Sequence, residues 1–138
     1  MFDLDEFNLF FKDVTIESLV RLDDFYHPDV EFIDPAHRLR GIPEIRQFWT
    51  DMLGTLISCE TDVFDATRDG TRCYSRWSMR VRHPKIRRGE EIEVGGMSAL
   101  LLQDELVIRH EDYYCMGELL YEHLPVVGRL IRAIKKAS

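Results

Sequence analysis

The stretch VEFIDPAHRLRG, Val30–Gly41, decides the fold because it begins as a half-buried β-strand and ends in a rigid turn. Side chains two positions apart on a strand point to the same face, so Val30, Phe32 and Asp34 share one side. Pro35 restricts the backbone directly after the carboxylate. We therefore predict a strand whose apolar row faces inward and whose end presents Asp34 to the same interior.

Helices are predicted on both sides of this strand. Before it, apolar residues at spacings of three and four predict two helices. Asp3 or Asp5 can cap the first, and the second begins after Thr15 and stops at the His-Pro-Asp step, residues 27–29. After Gly41, Pro43 is tolerated in the first turn of a third helix, which Gly54 can close. The chain thus opens as helices, one strand and another helix.

From residue 56 the hydrophobic period changes to two, which predicts four consecutive antiparallel strands. The pairs Asp69-Gly70 and Asp104-Glu105 indicate hairpin turns, and the pair Gly95-Gly96 indicates a bulge. Helices and strands in this order predict one α+β domain over residues 1–138, with helices packed on one face of a curved antiparallel sheet. A basic amphipathic segment, residues 126–138, is predicted to close it as a C-terminal helix.

The last strand carries a second row that turns from apolar to polar. We expect its inward face to hold Leu106, Ile108, His110, Asp112 and Tyr114. If this row and the Asp34 row both face the concave side, they share one pocket, and mostly apolar walls with a few polar groups are typical of a small-molecule site.

This pocket gives the candidate site residues. We predict catalytic roles for Asp34 as general base and for His110 and Asp112 as its polar partners, because carboxylates and imidazoles transfer protons in such sites. The residues predicted to contact a ligand are Phe32, Trp49, Trp77, Met79, Met97 and Tyr114.

Structural roles are the alternative for each of these residues. Asp before Pro at a strand end commonly forms a turn in which the carboxylate accepts bonds from nearby amides. His110 can be a core histidine bonded to Asp112 or to a backbone carbonyl. Trp77 and Met79 can be ordinary core residues.

Composition excludes several classes of function. The chain has 138 residues and a formal net charge of −7, and nucleic-acid binding depends on basic neutralisation of phosphates. Its apolar runs are too short to cross a bilayer, and its N-terminus is acidic where a secretory signal is basic, so we expect a cytoplasmic protein. Cys59, Cys73 and Cys115 form no CxxC pair and His37 and His110 have no ligand spacing, so we expect no metal.

The basic tail allows two interpretations. Arg129, Arg132, Lys135 and Lys136 could lie on an anionic membrane surface. A closing helix over the open end of the sheet explains the same pattern, since bases are favoured near a helix C-terminus.

The segments LDDFYHPDVEFIDPAHRLRGIPEIRQFWTDML, residues 22–53, and RHEDYYCMGELL, residues 109–120, resemble the nuclear transport factor two-like superfamily and, within it, the SnoaL-like group. The resemblance covers nearly the whole chain. It implies a cone of curved sheet closed by helices around a deep apolar cavity, and a homodimer formed through the sheets. No cofactor is implied.

Three enzyme types of this superfamily match different residues. Ketosteroid isomerases resemble the chain at Asp34-Pro35, although the first helix offers Phe10 and Phe11 where their oxyanion hole has a tyrosine. Limonene epoxide hydrolases resemble it at Asp112, although the Arg76-Trp77-Ser78 step ends in serine where they have an aspartate.

SnoaL-type polyketide cyclases require only a pocket carboxylate that serves as acid and base in an aldol closure. The resemblance therefore implies a protein that binds a small hydrophobic, carbonyl-bearing molecule, with isomerase, cyclase or hydrolase chemistry. A non-catalytic binding or dimerisation module is the alternative.

Overall fold

The computed structural model describes residues 1–115 and 133–137 and confirms the predicted α+β class. The helices are α1 (Leu4–Lys12), α2 (Leu22–Phe25) and α3 (Ile42–Thr55), with short 3-10 helices at Glu17–Arg21 and Arg87–Gly89. The strands are β1 (Tyr26–Ile33), β2 (Arg38–Arg40), β3 (Ser58–Asp69), β4 (Arg72–Arg82), β5 (Ile92–Gln103) and β6 (Leu106–Tyr114). Residues 133–137 are helical and exposed, and the rest of the predicted tail helix, 126–138, lies outside the described residues.

The six strands form one curled, open sheet in the order β2-β1-β6-β5-β4-β3. The predicted antiparallel pairing is correct except at one place, because β1 and β6 run parallel. A parallel pair needs a long crossover, which α3 and the intervening hairpins supply. Since both strands end at the same edge, the residues after Ile33 come close to the end of β6. This pairing places Asp34 near Asp112 and Tyr114.

The N-terminal helices differ in part from the prediction. Asp3 caps α1 by accepting bonds from the amides of Asp5 and Glu6, in agreement with the sequence. The predicted second helix ends at Phe25 rather than at the His-Pro-Asp step, and residues 27–29 lie inside β1. The β1–β6 register is irregular there, so the missing amide hydrogen of Pro28 costs no regular ladder bond.

Both predicted hairpin turns are present, but the predicted bulge is in a different strand. The β4–β5 pairing runs without a shift through Gly95 and Gly96. One irregularity lies in β3, where Phe64 is the extra residue opposite β4. Another lies in β6, where Leu101 pairs with Arg109 and Leu102 with Val107, which leaves Ile108 as the extra residue. As a result Val107 is buried with His110, and the predicted inward position of Ile108 is wrong.

The core is rich in aromatic side chains from α1, α2 and β1. Phe7 of α1 contacts the rings of Phe2, Phe11, Phe25, Tyr26 and His110. These rings fill the concave side of the sheet next to β1 and β6. No helix within residues 1–115 or 133–137 is long and apolar enough to cross a membrane.

Candidate functional site

A row of polar side chains crosses the concave face of the sheet. Ser75 of β4 pairs with Ser98 of β5, and Ser98 pairs with Asp112 of β6. Asp34 continues this row, because it follows Ile33, whose partner is the residue before Asp112. Ser75 and Ser98 are buried, so the row is a polar band in a mostly apolar interior.

Asp112 is held by two donors on one carboxylate oxygen. Ser98 Oγ donates to Asp112 Oδ1 at 2.5 Å, and His110 Nε2 lies 2.8 Å from the same oxygen. Trp77 Nε1 in turn donates to Ser98 Oγ at 2.9 Å. These bonds fix the orientation of the carboxylate.

The hydrogen-bond partners of His110 indicate which of its ring nitrogens carries the hydrogen. Tyr26 Oη lies 2.7 Å from His110 Nδ1. An ionised Asp112 can only accept, so Nε2 carries the hydrogen and Nδ1 accepts one from the Tyr26 hydroxyl, an assignment made from the bonding network. Burial, followed by the charge of Asp112, raises the pKa of Tyr26 well above its ordinary value, which keeps this hydroxyl protonated.

His110 has no open side from which a ligand could approach. It is 4% exposed, and both ring nitrogens have partners. Three phenylalanine rings contact its imidazole, namely Phe7, Phe11 and Phe32. His110 is therefore a buried histidine with both nitrogens bonded, as its structural alternative predicts. It contributes to the site through its bond to Asp112.

Asp112, in contrast, has an accessible oxygen. Its side chain is 20% exposed, and Oδ2 receives no hydrogen bond from residues 1–115 or 133–137. A carboxylate with one oxygen fixed and the other open can accept a proton or a hydrogen bond from a ligand.

Asp34 forms the turn expected of an Asp-Pro step and also binds the end of β6. Its Oδ1 accepts from the amides of Ala36 and His37 at 2.8 and 2.7 Å, and His37 Nδ1 lies 3.0 Å away. Tyr114 Oη donates to Oδ2 at 3.3 Å. The side chain of Asp34 is only 5% exposed, so the carboxylate is enclosed by these donors.

Tyr114 shares a face of β6 with Asp112, two residues away, and binds Asp34. Burial raises the pKa of its hydroxyl well above the ordinary value, and the charge of Asp34, the bond to Asp34 and the charge of Asp112 add to the rise. The hydroxyl is therefore protonated over the working pH range and serves as a hydrogen-bond donor.

The other predicted ligand contacts are distributed unequally. Phe32 and Trp77 are buried beside the Asp112 network, and Met79 is half-buried on the same face as Trp77. Trp49 packs against Phe11, and its buried Nε1 has no partner within the described residues. Met97 is 48% exposed on the opposite face of the sheet, so the structure does not bring it together with the others.

Three parts of this site were missed in the sequence. Tyr26 was interpreted as helical, Ser98 lies in a run of apolar residues, and His37 has no motif around it. Only the alternation of β5, which places Ser98 with Leu100 on the inner face, could have identified one of them.

Surface grooves reach the edge of the site, at Trp77 and His37, but not its carboxylates. Grooves of about 420, 520 and 550 Å³ lie respectively between α1 and β3, on the outer face near Gly95, and along α3 beside His37. None of them is lined by Asp34, His110 or Asp112. Within the described part of the chain, no three histidine, cysteine or acidic side chains come together to hold a metal ion.

Comparison of solved structures shows the same fold at low identity. A hypothetical protein with a ketosteroid isomerase-like fold from Catenulispora acidiphila, in complex with trimethylamine, is 13% identical over 91% of this chain and 94% of that chain, with a TM-score of 0.75. An LEH-like epoxide hydrolase from M. tuberculosis is 13% identical over 94% and 92%, with a TM-score of 0.69. A putative SnoaL-like polyketide cyclase from a Jannaschia species is 14% identical over 75% and 76%, with a TM-score of 0.66.

Sequence comparison identifies the family. No curated protein matches the chain in sequence. The family model of the SnoaL-like domain matches residues 10–110, which is most of the chain and includes the strand with Asp34 and the strand as far as His110. The chain therefore belongs to the SnoaL-like domain family.

Proposed function

We propose that this protein binds a small apolar molecule with a carbonyl group and moves a proton at the carbon next to that carbonyl, with Asp112 as the general base. The observation that carries the proposal is the state of the Asp112 carboxylate. One of its oxygens is fixed by Ser98 and His110, while the other receives no hydrogen bond from the described residues and the side chain is 20% exposed.

The chemistry follows from the groups around that oxygen. Asp112 Oδ2 takes a proton from the substrate carbon, and the carbonyl oxygen gains negative charge as the enolate forms. Tyr114 can donate to that oxygen, because its hydroxyl stays protonated and lies close enough to Asp112 to feel its charge. The enolate then attacks a second carbonyl in an aldol closure, or takes the proton back at another carbon in an isomerisation.

Asp34 is less suited to be the base than the sequence predicts. Donors from Ala36, His37 and Tyr114 surround both of its oxygens. Neither oxygen is therefore free to take a proton from a substrate carbon. In this proposal Asp34 positions Tyr114, and its role as general base stays a prediction.

A second candidate function is a non-catalytic binding module. It is favoured by the aromatic rings that fill the interior around His110 and by the three grooves, none of which is lined by Asp34, His110 or Asp112. Such a module would bind a ligand without changing it.

Exchange of α-protons in an enolisable aromatic ketone such as 1-indanone, followed by NMR in D2O, tests the proposal. We expect the wild-type chain to bind the ketone and to accelerate its exchange. Asp112→Asn should lower the exchange rate by about 100-fold, the lower range for a positioned acid or base, with little change in affinity. Asp51→Asn, which alters an exposed carboxylate on α3, serves as the matched control.

The outcomes separate the two candidates. Binding without exchange by the wild-type chain favours the binding module. Full activity in Asp112→Asn, or failure of the wild-type chain to bind aromatic ketones, contradicts the proposal.

A further inference from the structure

A line of hydrogen-bonding groups connects the candidate site with the protein surface. Tyr114 Oη donates to Asp34 Oδ2 at 3.3 Å. His37 Nδ1 lies 3.2 Å from that same oxygen and 3.0 Å from Oδ1. Asp34 Oδ2 is therefore shared by a donor on the inner side and a donor on the outer side.

Exposure increases sharply along this line. The side chain of Asp34 is 5% exposed, whereas that of His37 is 42% exposed. The amides of Ala36 and His37 hold Asp34 Oδ1, so the carboxylate cannot turn away from its two neighbours without losing both bonds. The ring of Phe48 packs against His37 at 4.7 Å between ring centroids and limits its rotation.

The inner end of the line lies beside the proposed base. Tyr114 binds Asp34 and lies two residues after Asp112 on the same face of β6. Both carboxylates help to keep its hydroxyl protonated, because their charges raise its pKa. A tyrosine that gives its proton to a substrate oxygen must regain one before the next turnover. A bonded route to an exposed imidazole can supply this proton.

We propose that Tyr114 exchanges its proton with water through Asp34 and His37. The use of this route in catalysis rests on the proposed function, and it favours substrates whose carbonyl oxygen ends as a hydroxyl. Tyr114 gives its proton to the substrate oxygen and becomes a phenolate. Imidazolium His37 passes its Nδ1 proton to Asp34 Oδ2, which passes it to the phenolate, and neutral His37 regains a proton from water. Asp112, whose side chain is 20% exposed, releases to solvent the proton that it took from the substrate carbon, so each turnover takes up one proton and gives up one.

Exchange of the Tyr114 hydroxyl with solvent tests the route without any ligand. The full chain is labelled with carbon-13 at the tyrosine ζ carbons and studied by NMR in mixed H2O and D2O, where a slowly exchanging hydroxyl gives two signals and a rapidly exchanging one gives a single signal. Tyr114→Phe assigns the resonance. We expect one signal for Tyr114 in the wild-type chain and two signals for Tyr26, which is buried against His110.

His37→Phe should slow exchange at Tyr114 by about 100-fold, and imidazole added to the buffer should restore it. His27→Phe is the matched control, because the bond that His27 makes within the described residues is to the backbone of Asp29, at the other end of β1 from Asp34. His37→Gln guards against misfolding, since glutamine can still donate to Asp34 but cannot carry a proton onward.

Equal exchange in the wild-type chain and in folded His37→Phe and His37→Gln would overturn this inference, as would two Tyr114 signals in the wild-type chain. Failure of ketone binding or of α-proton exchange would overturn the proposed function alone, because the hydroxyl measurement uses neither.

Discussion

Gly96 lies directly opposite Trp77 in the pairing of β4 with β5, and the indole ring of Trp77 occupies the space where a side chain on Gly96 would stand. A Cβ at Gly96 would meet ring carbons of Trp77 at 2.4, 2.6 and 2.8 Å. With its ring in this place, Trp77 Nε1 reaches Ser98 Oγ, which bonds Asp112. The absence of a side chain at Gly96 therefore helps to position the candidate base.

Gly96→Ala should displace the Trp77 ring and lower the free energy of unfolding by about 1–3 kcal/mol, the usual cost of overpacking a core. Urea denaturation measures the change. Gly95→Ala is the matched control, because a Cβ at Gly95 meets no atom within 4 Å and should change stability much less. Equal losses in the two variants would contradict the role assigned to the Trp77 ring.

Tyr26→Phe should also destabilise the protein, although it changes only one atom of the core. The variant leaves His110 Nδ1 buried without a donor, which costs about 1–3 kcal/mol. Nitrogen-15 NMR of the histidine ring should show a clean Nε2–H tautomer in the wild-type chain and a mixed population in the variant. Tyr74→Phe, at an exposed tyrosine, is the control and should leave both measurements unchanged.

Alkaline pH should reduce the difference in stability between the wild-type chain and Tyr26→Phe. The pKa of Tyr26 is raised above its ordinary value of 10.0 by burial, so below that pH the phenol is protonated in both the folded and the unfolded chain. Above it the unfolded chain loses the proton while the folded chain keeps it, so the free energy of unfolding falls as pH rises. The fall approaches about 1.4 kcal/mol per pH unit for one such group.

Tyr26→Phe lacks this contribution, so its stability should fall less steeply and the gap to the wild-type chain should narrow. Urea midpoints measured from about pH 9 to about pH 11 give the two slopes, because this range spans the ordinary pKa of a tyrosine hydroxyl. Parallel slopes would show that Tyr26 ionises as easily in the folded chain as in the unfolded one.

The local part of this structure could be predicted from the sequence. Val30, Phe32 and Asp34 share a face as the alternation requires, and the Asp-Pro step makes the turn that such steps commonly make. Helix boundaries that depend on neighbouring residues, such as the cap at Asp3 and the start of α3 near Pro43, could likewise be predicted from the sequence.

What could not be predicted depends on contacts between distant segments. The bulge at Ile108 depends on the pairing of β6 with β5, and β6 contains no glycine that would indicate a bulge. The sequence predicts a bulge at Gly95-Gly96, whereas the structure shows a regular strand in which Gly96 leaves room for the Trp77 ring. That ring contact is not visible in the sequence. Tyr26 became part of the site through a bond to His110, 84 residues away along the chain. The position of Met97 on the outer face depends on the unbroken β4–β5 register.

The outer face of the sheet should carry the homodimer contact that the family resemblance implies. Large side chains are exposed there on four neighbouring strands: Phe64, Tyr74, Met97 and Tyr113. Met97 lies between Arg76 of β4 and Tyr113 of β6 in the strand pairing, so a charge at this position would be buried by a second copy. Burial of an unpaired charge is costly.

Met97→Glu should therefore raise the dimer dissociation constant by at least about tenfold, or about 1.4 kcal/mol, while the monomer keeps its fold. Sedimentation of the full chain over a range of concentrations measures the dissociation constant, and circular dichroism confirms the fold. Leu9→Glu, at an exposed leucine of α1 away from the outer face, is the control and should leave the dimer intact. A wild-type chain that sediments as a monomer at every concentration would contradict the dimer, and an unaffected Met97→Glu dimer would place the contact on another surface.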